Sequence, residues 1–442
     1  MTLPKFGYVM DLLPSRFSSF VDYLNGKINF TNCDTMILAA LNLVNAFRDL
    51  HRKGYFYKDL NDGNFFIDMK NGDIKIIDND NIGTLEDKNG VIGKSGYIAP
   101  EIVTGSAAPS TKTDRHSIAV VLFKLFMKHD PFMGKFYHKF DIIGPKEELE
   151  IYGKNPIFIF HPSDIRNYPT SLDKNAEKFW KLYPKCLKDR FIKTFVDGIK
   201  NPCARTSGGD WQTALIDLRA NLAICEKCGE EFLLSQGECD KQHKIGKIDL
   251  LHIGCYNIPL FFKQKLFACH TAQNKDDYKS ITAEIVKHKK NGTLAIQNLG
   301  DNEWSYLSHK FRNSVCKKGG IVKIHSKLEI DFGRQKGNMC SQHKKQYFLR
   351  IDSYKFPLDK GMHIEIDNNE IGQVQAKKDN PEIIALKNLT NKTWIYIENG
   401  IEKKCEPQKI FQIKDRISVN FCNSTGYIKL ESIKGEQNHG NA

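Results

Sequence analysis

Eight consecutive residues, Tyr57-Lys58-Asp59-Leu60-Asn61-Asp62-Gly63-Asn64, fix the chemistry that the first half of the chain must fold around. An acid, Asp59, is followed five residues later by an amide, Asn64. A second acid, Asp78, opens Asp78-Asn79-Asp80 after two short apolar runs, Phe65-Phe66-Ile67 and Ile74-Lys75-Ile76-Ile77. The Asn71-Gly72 pair between those runs predicts a hairpin, which carries Asn64 and Asp78 to one cleft. Oxygen ligands of this kind suit a divalent cation against a polyphosphate, and Asp59 can accept a hydroxyl proton. Asp62, Asp68 and Asp73 read as turn or surface carboxylates.

Ala99-Pro100-Glu101 follows in order, and the three motifs together resemble the catalytic core of protein kinases. More narrowly, residues 58–67 look like bacterial serine/threonine kinases of the tellurite-resistance-cluster type, which carry a zinc ribbon and β-domains behind the kinase. The resemblance implies a mainly α large lobe that uses ATP and Mg2+ and acts on Ser or Thr of a protein. Asp59 then orients and deprotonates the hydroxyl. Asn64 and Asp78 hold magnesium, with Asp80 assisting or replacing Asp78. Asn61 stands where the family places a lysine, and Lys94 stands where it places a threonine, seven residues before Glu101. This swap predicts that Lys94 supplies the missing cation near the γ-phosphate. Asn79 is expected to be buried, which disfavours a flip of its motif into an apolar pocket. Thr84 is a candidate phosphosite in the activation segment.

The same resemblance implies structural roles. Glu101 pairs with Arg205, and Asp114 anchors the backbone of the catalytic loop. Gly7-Tyr8-Val9-Met10-Asp11-Leu12-Leu13 aligns with the strand entering the hinge, so Met10, Asp11 and Leu13 are the adenine-side candidates. Only six residues precede Gly7, too few for a small lobe with its Gly-rich loop and strand lysine. A start assigned too late, a fragment and an inactive remnant all fit that observation. Apolar Ile37, Ala40, Leu41, Val44 and Phe47 recur at helical spacing and predict a buried helix over 34–50.

Beyond Leu222 the pattern changes. Cys225-Glu226-Lys227-Cys228-Gly229 has the spacing of a zinc knuckle. Cys239 and His243 are the candidate second pair, and His252 with Cys255 competes. The remainder is an internal repeat: Ala295-Ile296-Gln297-Asn298-Leu299 with Trp304 echoes Ala385-Leu386-Lys387-Asn388-Leu389 with Trp394. Ile321, Ile324, Leu328, Ile330 and Phe332 match Ile410, Ile413, Ile417, Val419 and Phe421. Alternating apolar and polar residues predict two antiparallel β-sandwiches. They loosely resemble forkhead-associated domains without the Arg–Ser–Asn set for phosphothreonine, and both tryptophans read as core. The expected division is a kinase-like region over 1–222, a zinc-ribbon-like segment over 223–245, and β-repeats over 246–335 and 345–432. The class is α+β.

Twelve cysteines in a chain without a secretory signal or an 18-residue apolar run point to a cytoplasmic protein with reduced or metal-bound thiols and no membrane span. The net charge of +13 is spread over scattered lysines, which argues against a nucleic-acid partner. Proteins are the expected partners, as substrate and through the β-repeats. The alternatives are a pseudokinase scaffold and a phosphopeptide-binding β-sandwich protein.

Overall fold

Helix Cys33–Arg52 follows its apolar spacing: Ile37, Ala40, Leu41, Val44 and Phe47 are all buried. The computed structural model describes residues 11–84, 93–244 and, with breaks of one to four residues, 248–433. Asn32 caps the helix, its Oδ1 accepting from Thr35 N at 2.8 Å, which satisfies one of the unpaired N–H groups of the first turn. Helix Thr111–Met127 is apolar on nearly every side, with Val120, Val121, Leu122 and Phe123 at 0% exposure, so it is the lobe's central element rather than a surface helix. Helix Gly208–Ala220 closes the lobe, burying Trp211, Leu215 and Leu218.

The hairpin that carries the acids pairs Phe65–Asp68 with Ile74–Ile76, Phe65 opposite Ile76 and Ile67 opposite Ile74. Its turn needs Gly72, which has φ 71°, and a Cβ there would lie 2.7 Å from Thr35 O. Asp68, read as a turn or surface carboxylate, is a buried turn carboxylate: it accepts from Lys70 N at 2.9 Å and Asn71 N at 3.3 Å. Phe17–Ser19 adds a third strand beside Phe65–Asp68.

Leu222–Ile224 and Glu231–Leu233 pair as a short hairpin, with Leu222 opposite Leu233. Two β-rich segments follow. In the first, a six-stranded sheet runs in the order Asn313–Cys316, Trp304–Leu307, Glu329–Asp331, Lys336–Cys340, Asp249–Ile253, Tyr256–Leu260. Its four-stranded partner runs Lys265–Phe267, Ile281–Lys287, Leu294–Asn298, Ile321–Lys323. In the second segment the six-stranded order is Ile401–Cys405, Trp394–Glu398, Ile417–Asn420, Thr425–Ile433, Lys344–Ile351, Tyr354–Pro357. Its four-stranded sheet runs His363–Ile366, Asn369–Lys377, Asn380–Asn388, Ile410–Gln412. Strand for strand, the two segments have the same order. Trp304 meets Phe332 edge-on at 5.0 Å, and Trp394 meets Phe421 edge-on at 4.8 Å. Both tryptophans are buried.

By packing, the described residues fall into two compact units: one ends at Met339 and the other begins at Cys340. One apolar cluster takes in Phe47 and Phe123 of the lobe together with Leu251, Ile285, Trp304 and Phe332 of the first β-segment. The second unit has its own core, built on Leu349, Ile364, Leu386, Trp394 and Ile428.

Candidate active site and cysteine cluster

The backbone of the loop over 57–64 is pinned from below. Asp114, 2% exposed at the start of the central helix, accepts from Tyr57 N at 2.9 Å and from His51 Nε2 at 2.8 Å. Burial raises the Asp114 carboxyl, and the His51 and Tyr57 hydrogen bonds oppose that. Lys58 N donates to Asn81 O at 3.0 Å, and Ile77 N donates to Asn64 O at 3.0 Å, so the segment bearing Asp78 lies alongside the loop.

Within that frame Asp59 is the most heavily engaged group. Its Oδ1 accepts from Asn61 Nδ2 at 2.8 Å and from Lys94 N at 3.0 Å. Asn64 Nδ2 donates to Asp59 O at 3.1 Å and reaches Asp59 Oδ2 at 3.5 Å. Tyr57 joins the set: its hydroxyl donates to Ile77 O at 2.5 Å. Burial pushes the Tyr57 phenol up, and the charges of Asp78 and Asp59 push it further, while Asn81 and Asn64 hydrogen-bond it. Tyr57 and Asn64 thus both bind Ile77, the residue before Asp78, and Asn64 also binds Asp59. Asp78 is exposed and adopts φ 59°, a left-handed conformation that Asp tolerates better than most residues. Asn79 and Asp80 are exposed as well. The expectation that Asn79 is buried is thus corrected: it begins the single 3-10 turn Asn79–Asn81, which lies on the surface.

Lys94 reaches the loop in a manner the sequence does not reveal. Its amide binds Asp59, but its ammonium binds Asp62 Oδ1 at 2.6 Å. Asp62, read as a turn carboxylate, is therefore the partner of the candidate cation. The sole sequence hint was a surplus acid three residues after Asp59. Gly93 must be glycine for this approach, because a Cβ would fall 2.8 Å from Asp59 Oδ1 and 2.9 Å from Lys58 O. His51 was likewise missed, since nothing local marks a helix-end histidine as a partner of Asp114. Glu101 and the fully buried Arg205 form a two-pronged pair, with both bonds at 2.7 Å. Losing either partner of such a pair costs roughly 3–5 kcal/mol. Of the adenine-side candidates, Asp11 is exposed and Leu13 half-buried, while Met10 lies outside the described residues. Thr84 immediately precedes residues 85–92, which also lie outside them.

A second cluster lies in the hairpin segment. The ligand atoms of Cys225, Cys228, Cys239 and His243 all fall within 4.8 Å of one another. Cys228 and Cys239 sulfurs are 3.6 Å apart, and Cys225 Sγ is 3.4 Å from His243 Nδ1. A tetrahedral ion bonded to sulfur at about 2.3 Å spaces its thiolates by roughly 3.8 Å, so the four groups fit zinc. Desolvation raises the Cys225 thiol, but backbone N–H groups of Cys228 and Lys227 outweigh it and hold the thiol at about 6. His252 instead bonds Asn257 Oδ1 at 2.9 Å, and its competing partner Cys255 lies outside the described residues.

Residues 8–190 match the family described as the protein kinase domain. Over 133 residues the chain is 26% identical to the "Probable serine/threonine-protein kinase PknB" of Bifidobacterium longum, covering 28% of this chain and 19% of that protein. It is 27% identical over 133 residues to human "Beta-adrenergic receptor kinase 1", covering 27% and 19%. It is 30% identical over 132 residues to "Protein kinase gsk31" of Schizosaccharomyces pombe, covering 28% and 35%. The chain thus spans between a fifth and about a third of the length of these curated relatives.

Proposed function

Starting from a chain whose residues 8–190 are protein kinase-like, we propose that it transfers the γ-phosphate of ATP to a serine or threonine hydroxyl of a protein substrate in a magnesium-dependent reaction. What carries this reading is the run of bonds from Asp59 to Asn64 and from Asn64 O to the amide of Ile77, the residue before Asp78. Asp59, oriented by Asn61 and the Lys94 amide, accepts the hydroxyl proton. Asn64 and Asp78, with Asp80 beside them, would hold magnesium, which neutralises charge on the triphosphate. Lys94, carried in by the activation segment, would offer its ammonium to the transferred group in place of the salt bridge with Asp62. Asp11 and Leu13, following Met10, would face the adenine through their backbones.

The cysteine cluster would hold a structural zinc ion, since four protein ligands leave no open position. The β-segments are read as tandem sandwiches, the second a degenerate forkhead-associated-like module, and both as surfaces for protein partners. Their identical strand order supports that reading. A cytoplasmic site suits nine described cysteines with none in a disulfide, and no helix among the described residues is long and apolar enough to cross a membrane.

The test is label transfer from γ-labelled ATP with magnesium to a generic Ser/Thr substrate. Asp59→Asn should lower kcat by about 10²–10⁴-fold without moving the melting temperature. Equal label transfer by the wild type and Asp59→Asn would remove the catalytic role and leave a scaffold.

A further inference from the structure

We propose that the Cys225–Cys228–Cys239–His243 site is a metal-operated clamp: it registers the first β-segment on the catalytic lobe and, through helix Cys33–Arg52, steadies the catalytic loop. The inference rests on the zinc reading above and adds what the ion does for the rest of the molecule.

Leu222 and Leu233 anchor the base of the hairpin in the main core, but the part that carries the ligands has little else to hold it together. Its own apolar cluster consists of Ala223, Cys225, Phe232 and Cys239, so half of its core side chains are the candidate ligands. A core that small does not sustain a fold, and in such modules metal binding supplies the folding free energy. Yet this segment grips three separate parts of the first unit. Glu231, on the strand opposite Ile224 and beside Cys225, accepts from Cys33 N at 2.8 Å and Asp34 N at 3.3 Å, the first N–H groups of the long helix. Leu234 N donates to Asn221 O at 2.9 Å, and Ser235 Oγ donates to Leu182 O at 2.9 Å. On the other side, Glu226, inside the knuckle, pairs with Lys287 of the first β-segment at 2.7 Å, and Phe261 packs on the cysteine cluster.

The long helix links this grip to the active site. Its first residues are held by Glu231, and its last turn carries His51, which bonds Asp114, which in turn holds Tyr57 N. A helix of this length spans about 30 Å as one rigid element. Freeing the hairpin releases Glu231 from the first turn and Glu226 from Lys287 together, and so loosens its hold on both the long helix and the first β-segment.

Hydrogen exchange on the full-length protein tests this, first loaded with zinc, then stripped by chelator, then refilled with zinc chloride. Stripping should speed exchange at 33–36, at the Tyr57 and Lys58 amides and along Ile281–Lys287 by about tenfold or more, and refilling should restore it. Strands Asn380–Asn388 and Ile417–Asn420 of the second unit should not respond. Glu231→Ala, which keeps all four ligands, should speed exchange at 33–35 by roughly fivefold even in zinc-loaded protein. If stripping unfolds the whole first unit, the zinc-loaded Glu231→Ala protein decides: faster exchange supports the clamp, and unchanged exchange overturns it. Zinc-loaded protein whose exchange ignores stripping overturns the clamp alone. Protein that never takes up zinc overturns the clamp and the metal reading together.

Discussion

The two β-segments share a strand order and an edge-on Trp–Phe pair, yet one is fused to the lobe's core and the other packs on its own. Much of the difference is visible in one connection. Between Phe267 and Ile281 the first segment has thirteen residues, 268–280, where the second has two, 367–368, between Ile366 and Asn369. The longer connection makes the seam. Asp276 Oδ1 accepts from Arg48 NH1 at 2.8 Å and Gln212 Nε2 at 3.0 Å, and Tyr278 Oη donates to Asn42 Oδ1 at 2.8 Å. Arg219 binds Asp34 and Tyr278 O, and stacks 3.9 Å over the Phe267 ring. The two frameworks are thus alike, and the longer connection ties the first of them to the unit that contains Asp59.

The strongest way to break this contrast is to empty each core in turn. Trp304→Ala and Trp394→Ala should each cost about 3–5 kcal/mol, because each leaves a large cavity. They should act on different transitions: Trp304→Ala lowers the melting of the lobe, and Trp394→Ala lowers only that of the unit beginning at Cys340. Calorimetry that finds the lobe equally weakened by Trp394→Ala would erase the distinction.

Acid should separate the units next. His270, in the insertion, is buried and accepts from Phe267 N through Nδ1 at 3.1 Å. Burial, then the Arg219 charge, hold its pKa down at about 3. Burial and Arg205 likewise depress His116 in the lobe. An unfolded histidine titrates near 6.5, so below that pH the unfolded chain binds protons that the folded unit refuses. Stability of the first unit therefore falls as pH drops from about 6.5 toward 3, by up to roughly 1.4 kcal/mol per pH unit for each histidine. In the second unit the described histidine, His363, is exposed. The first transition should move further with acid, and His270→Leu should reduce its slope by one proton. Parallel movement of both transitions would contradict the contrast.

A matched pair sharpens what the copies have in common. Asn298 Nδ2 donates to Asn302 O and Cys316 O, as Asn388 Nδ2 does to Lys392 O and Cys405 O, at 2.8–3.1 Å. Both asparagines are 0% exposed. Replacing either by Ala strands two carbonyls and should cost about 2 kcal/mol in its own unit, measured by denaturant unfolding. Unequal costs would mean that the shared strand order hides different loop architecture.

The sequence carried whatever is written in short-range pattern. Helical spacing marks Ile37 through Phe47 as core and repeat alignment pairs Trp304 with Trp394, while the pairing of Glu101 with Arg205 comes from the resemblance to protein kinases. It did not carry partners chosen by tertiary approach. Asp62 looks like any turn acid, and only the close approach at Gly93 brings Lys94 to it. Asp68 reads as a turn or surface acid, and its burial follows only from the Gly72 turn folding against the long helix. The seam is invisible for the same reason: Asp276, Tyr278 and Lys279 lie in a polar stretch with no periodicity, and their partners are 64 to 236 residues away.

The smallest expected effect probes that seam most selectively. Tyr278→Phe removes one hydroxyl and leaves the ring in the core, so it deletes the bond to Asn42 Oδ1 without opening a cavity. One such hydrogen bond contributes about 1 kcal/mol. Because Asn42 Nδ2 also donates to Gly72 O at 2.7 Å, the lost bond sits one residue contact from the hairpin bearing Asn64 and Asp78. Tyr278→Phe should therefore lower protection of the Gly72 turn as well as of Ile281–Lys287, while the second unit keeps its exchange pattern. A drop confined to the β-strand would mean that the insertion attaches the first segment to the lobe without bracing the hairpin.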